Sequence, residues 1–127
     1  MKKFVIMDNL PENLSILDVN SLNNLRTEMR GRGINWLIDL YLRELPNYLA
    51  ELQRALQTAN SNTLFEAAHK LKGSSTHLGA KRLVALCLQL ETLARANALA
   101  EAELLILGSL QIESQQLRTA LEKIRNV

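Results

Sequence analysis

Ala67-Ala68-His69-Lys70-Leu71-Lys72-Gly73-Ser74-Ser75-Thr76-His77-Leu78-Gly79-Ala80 winds as a helix with one dry side and one wet side. At about 100° per residue, Leu64, Ala67, Leu71 and Leu78 all fall within about 40° of the direction opposite His69. That apolar stripe belongs in a core, so His69 faces solvent. On its side, at helical neighbour positions, lie Asn62, Phe65, Glu66, Lys72, Gly73 and Thr76, a polar surface with one aromatic at its edge. Lys72 is one turn away, close enough for its ammonium to reach a negative charge placed on the imidazole. Glycine inside a helix costs about 1 kcal/mol relative to alanine. Gly73 beside an exposed histidine therefore suggests a bare patch where something large approaches the backbone.

The run His69-Lys70-Leu71-Lys72-Gly73-Ser74-Ser75, followed by Leu78-Gly79-Ala80 and then Leu83, Leu86, Cys87, Leu90-Glu91 and Arg95, resembles the histidine-containing phosphotransfer (HPt) domain of multistep phosphorelays. The resemblance extends upstream through Leu37-Ile38-Asp39-Leu40-Tyr41-Leu42 and Pro46, and covers most of the chain from about Asp18 to the C-terminus. It implies an all-α, antiparallel up-and-down four-helix bundle, here with an additional short N-terminal helix. Such a domain passes a phosphoryl group between receiver-domain aspartates. His69 is then the phosphoacceptor, and response-regulator receiver domains and hybrid histidine kinases are the partners. Phe65, Glu66, Gly73 and Thr76 form the surface that meets them.

The chemistry of the residues agrees with that role. Neutral imidazole is a usable nucleophile at cell pH, and its Nε2 can attack the phosphorus of an acyl phosphate held by a partner. Phosphorylation then places about two negative charges beside Lys72. Phosphoryl transfer asks mainly for in-line positioning and charge neutralisation, and a receiver's own Mg²⁺ site supplies most of both. The chain thus needs no cofactor, no metal and no nucleotide pocket. It contains no Gly-rich phosphate loop, kinase signature or dinucleotide fingerprint. A carrier without kinase activity or nucleotide hydrolysis is expected.

Composition bounds the remaining possibilities. The 127 residues make one domain, and 47% hydrophobic content with only 4% aromatic is that of a leucine- and alanine-rich helical protein. The net charge of +2 comes from 15 basic and 13 acidic residues scattered along the chain, which gives no footprint for nucleic acid. The single cysteine, Cys87, sits among Leu83, Leu86 and Leu90 as a small buried hydrophobe, consistent with a reducing compartment. No apolar run approaches the ~20 residues that span a bilayer. A soluble, cytoplasmic monomer that binds no membrane is expected.

Along the chain, residues 1–17 read as a tail and 18–127 as the bundle. Asp18 or Asn20 caps a first helix reaching about Arg30, with Leu22, Leu25 and Met29 as its inner or docking stripe. A second helix runs from about Ile34 to Thr58, and Pro46 inside it predicts either a kink near Tyr41 to Leu45 or a bend tolerated because the helix is long and well packed. A third, about Thr63 to Leu78, carries the site and stops at Gly79, and a fourth runs from Ala80 to about Asn97. The last, about Ala100 to Ile124, would turn Leu104, Leu107, Ile112, Leu117, Leu121 and Ile124 inward, with Gly108-Ser109 weakening its middle.

Around a hairpin centred on Gly79, antiparallel packing sets His69 level with about Gln89 to Glu91. Two readings of Glu91 stand: it orients the ring through Nδ1-H, leaving Nε2 free, or it is a surface residue pairing with Arg95 one turn on. Ser74 and Ser75 read as small residues for close helix packing, and His77 as a surface residue two turns from His69. Two other function classes compete with the carrier. Glu66-x-x-His69 matches the Glu-x-x-His element of di-metal bundles, but it occurs once and points away from the apolar stripe. A helical adaptor could bind receiver or kinase domains without phosphate chemistry, though His69 and Lys72 together argue against it.

Overall fold

The computed structural model describes residues 14–29 and 33–125, and among them every regular element is helical. The helices are α1 (Val19–Met29), α2 (Ile34–Gln57), α3 (Ser61–His77), α4 (Lys81–Arg95), α5 (Leu99–Leu105) and α6 (Gln111–Arg125), with a π-helical turn over Ile106–Leu110 joining the last two into one rod. Only three residues separate α2 from α3, α3 from α4 and α4 from α5, so sequential neighbours run antiparallel. The α6 half of the rod returns to α2 and closes a four-helix bundle, to which α1 is the short addition.

Three of these helices end in the same way. Ala59, Gly79 and Asn97 adopt left-handed φ values of 50°, 74° and 54°. In each case the next amide donates to the carbonyl five residues back: Asn60 to Ala55, Ala80 to Ser75, Ala98 to Leu93. This closure satisfies carbonyls that a helix end would otherwise leave open. Asn60 then caps α3 by accepting from the Thr63 amide at 3.0 Å, and α3 begins at Ser61, two residues before the position the sequence suggests.

Gly79 does a second job. A Cβ built on it would lie 2.7 Å from Ser21 Cβ and 2.9 Å from Asp18 Cβ, and its carbonyl accepts from the Asp18 amide at 2.8 Å. The start of α1 therefore sits directly on the α3–α4 turn. Asp18 caps α1 through the Asn20 amide and pairs with Lys81 at 3.2 Å. Of the tail expected over 1–17, residues 1–13 lie outside the described residues. Leu14, Ile16 and Leu17 are half-buried against the core, and the Arg82 amide donates to the Ser15 carbonyl.

α2 runs through Pro46 as a single helix. The ring removes the bond that would cap the Leu42 carbonyl four residues back, and that carbonyl accepts from Arg118 of α6 at a long 3.4 Å. One turn earlier in α2, Asp39 pairs with Arg125.

The inner face expected for the last helix needs correction. Leu117 and Leu121 are buried and Ile124 packs half-buried, but Leu104, Leu107 and Ile112 are exposed, and the buried positions are Ala102, Leu105, Ile106 and Leu110. The π turn explains part of this. It accommodates one extra residue, which shifts the phase by about 100°, so Ala102 and Leu105 come into line with Leu117 while Leu107 rotates outward; Leu104 and Ile112 lie about 140° from Leu117 already at the regular helical period.

Candidate functional site

α3 presents its buried face, Leu64, Ala67, Ala68, Leu71 and Ser75, to α2 and α4. His69 accordingly points out, with its side chain 59% exposed. Glu91, on the facing turn of α4, reaches it: His69 Nδ1 and Glu91 Oε2 are 2.9 Å apart. The second carboxylate oxygen accepts from Lys72 Nζ, also at 2.9 Å. One carboxylate, 10% exposed, thus holds both the histidine and the lysine. Lys72 is only 23% exposed and is engaged with Glu91 in the unmodified protein.

Burial pushes the Glu91 carboxyl up, but the hydrogen bonds from Lys72 and His69, and then their charges, more than offset it and leave the group below its ordinary value. At neutral pH Glu91 is therefore ionised and can only accept. The ring must donate through Nδ1, and the neutral tautomer that this contact selects carries its lone pair on Nε2.

The remaining site residues fall around this triad. The Phe65 ring stacks on the His69 ring at 5.8 Å and 12°. Arg95 lays its guanidinium over the Phe65 ring, 4.6 Å from its centroid. Of the two sequence readings of Glu91, the contact is with His69 and Lys72, while Arg95 goes to Phe65. Glu66 is exposed one turn before His69. Thr76 is exposed, and its hydroxyl donates back to the Lys72 carbonyl at 2.7 Å. Gly73 is exposed, and a Cβ there would meet nothing within 4 Å, so no packing inside this chain asks for a glycine. Lys70 is drawn away by Glu51 of α2.

Sequence reasoning missed what Ser74 and Ser75 do. Tyr48 and Ser74 hydroxyls lie 2.8 Å apart, and Tyr41 and Ser75 hydroxyls 2.7 Å apart in the core. The pairs fix the register of α3 against α2 directly beneath the site. Their signal was present in the seven-residue spacing of Tyr41 and Tyr48 on the inner band of α2. Beyond Tyr48, an apolar groove of about 510 Å³ opens between Leu25, Met29, Trp36 and Leu37, with the exposed His77 on its rim. Cys87, one turn before Glu91, is fully buried, and burial pushes its thiol up to about 12. Among the described residues no three His, Cys, Asp or Glu side chains gather into a metal-holding group, and no helix is long and apolar enough to cross a membrane.

A family model described as the Hpt domain matches residues 37–127. The chain belongs to the Hpt family. This Hpt domain is a phosphotransfer module of phosphorelay signalling, a family that works with receiver domains and kinases. It is 28% identical over 89 residues to the phosphorelay protein LuxU of Vibrio harveyi, a match spanning 70% of this chain and 78% of LuxU. Its fold is similar to the crystal structure of histidine-containing phosphotransfer protein B (HptB) from Pseudomonas aeruginosa PAO1. The TM-score is 0.81 at 30% identity, over 87% of this chain and 95% of that one.

Proposed function

We propose that His69 is the phosphoacceptor of this Hpt domain. Nε2 attacks the phosphorus of a receiver's aspartyl phosphate, the aspartate leaves as carboxylate, and the group later moves to the aspartate of a second receiver. The observation that carries the assignment is the Glu91 carboxylate bonded at 2.9 Å to both His69 Nδ1 and Lys72 Nζ. It fixes the tautomer that presents a free Nε2 and parks a cation beside it. Lys72 neutralises the arriving charge, exchanging Glu91 for the phosphoryl oxygens. Phe65, Glu66, Gly73 and Thr76 form the contact surface, with Gly73 leaving the backbone open to the receiver. The domain acts as a cytoplasmic monomer that stores and passes the group, with no kinase or nucleotide-hydrolysing activity of its own.

Incubation with aspartyl-phosphorylated receivers tests this reading. Acid-labile, base-stable label on the chain is expected. Receivers that bind without giving up label would assign an adaptor instead.

A further inference from the structure

A carboxylate at Nδ1 matters after phosphorylation as well as before it. When Nε2 bonds phosphorus, its lone pair is used, the P–O bond of the donor breaks with its electrons on the leaving carboxylate, and the Nδ1 proton stays where it was. The product ring is a cation if it keeps that proton and neutral if it loses it. In the reverse step the Nε2–P electrons return to Nε2 as the phosphoryl group leaves for the next aspartate. A protonated ring departs as neutral imidazole, whereas an unprotonated one must depart as imidazolate, a far poorer leaving group.

We infer that Glu91 holds the proton on Nδ1 of phosphorylated His69 through neutral pH, so that the group arrives and leaves without any proton entering or escaping the site. This rests on the assignment of His69 as phosphoacceptor and specifies how the same site is tuned. The geometry supplies the reason. Glu91 Oε2 lies 2.9 Å from Nδ1 and is shielded from water, where an ionic hydrogen bond is strong. The charged or titratable groups facing the carboxylate are His69 and Lys72 from α3 and Cys87 from α4. Cys87 is a neutral buried thiol, and Arg95 sits out over Phe65. Once about two phosphoryl charges are added, the anionic groups outweigh the two cations and a ring cation is favoured. An amide at position 91 would turn a donor toward Nδ1 equally well and favour the neutral ring. Glu91 is a positioning residue in this scheme, acting on the phosphoryl group only through the imidazole.

The test needs no receiver. The full chain is phosphorylated with phosphoramidate, and the histidine ring nitrogens are followed by NMR from about pH 5.5 to 9. His77, exposed at the end of α3, serves as the internal comparison in the same spectrum. Phosphorylated His69 should hold its Nδ1 proton at least about one pH unit beyond phosphorylated His77, a tenfold difference in proton affinity. In Glu91→Gln that margin should vanish, and loss of phosphoryl from His69 at pH 8 should slow about tenfold. The inference is overturned if the two rings titrate together in the parent, if Glu91→Gln titrates like the parent, or if His77 takes label and His69 does not. The comparison of His69 with His77 decides even if the variant folds poorly. Absence of transfer from receivers would remove the proposed function and leave these titrations standing, so the two failures are distinguishable.

Discussion

Lys72 is engaged by Glu91 before any phosphoryl group arrives, and that changes what its removal should do. Lys72→Ala deletes the cation proposed to move to the phosphoryl oxygens, so transfer from a receiver should slow by about 10²-fold, as when one preorganised donor is lost. Stability should change by about 1 kcal/mol or less, because the pair is partly open to water and Glu91 keeps its bond to His69. Transfer at the parental rate would take Lys72 out of the chemistry. Gly73→Gln should give the opposite pattern. Its new side chain meets open space, so the helix gains up to about 1 kcal/mol. Docking of a receiver weakens while labelling by phosphoramidate continues. Parental transfer rates would make the bare patch incidental.

Glu91 also leaves a signature in acid. Its carboxyl lies below the ordinary value of 4.5 in the folded chain, so the unfolded chain binds more protons as the pH falls. The stability it contributes is complete above 4.5 and is lost as the pH drops through the lowered folded value. Urea unfolding from about pH 6 to 3 should show the parent losing stability more steeply than Glu91→Gln. Asp18 and Asp39 are lowered too, by Lys81 and Arg125, but they act equally in both proteins. Parallel curves would mean that Glu91 is not held as the distances indicate. Glu91's approach to the ring was legible in the hairpin register around Gly79. Its simultaneous hold on Lys72 was not, because that needs the rotation of α4 as well as its level.

At the scale of elements, the helix ends separate two uses of the same backbone conformation. Ala59→Gly relieves a left-handed φ of 50° in an exposed turn and should stabilise by about 1 kcal/mol. Gly79→Ala adds a methyl group that needs the same φ region and collides with Ser21 and Asp18 at the start of α1. It should cost more than about 2 kcal/mol and loosen α1, seen as faster amide exchange there. Equal and small effects in the two thermal melts would show that α1 is not seated on this turn. Gly79 as a helix stop was readable from sequence. Its contact with α1 was not, because the two are far apart along the chain. The last helix shows the sharper limit. A strict 3.6-residue period cannot anticipate the π turn at Ile106–Leu110, so Leu107 was misassigned, whereas Leu104 and Ile112 fall about 140° from Leu117 even at that period.

The whole molecule is a bundle whose stability and chemistry occupy different sides of α3. Leu64, Ala67 and Leu71 are buried, and a simple amphipathic stripe made that half of the fold plain from the sequence. The other half of α3 meets its neighbours through side chains at the surface, His69 and Lys72 on Glu91 and Lys70 on Glu51, so under the proposed assignment a change there abolishes transfer without unfolding the protein. His69→Gln combines both statements in one experiment: label transfer from an aspartyl-phosphorylated receiver, with the thermal midpoint measured on the same sample. The account predicts that label is lost completely and the midpoint moves by no more than about 2 °C, the small response of a surface substitution. Label retained on the variant, or its loss together with the fold, would contradict it.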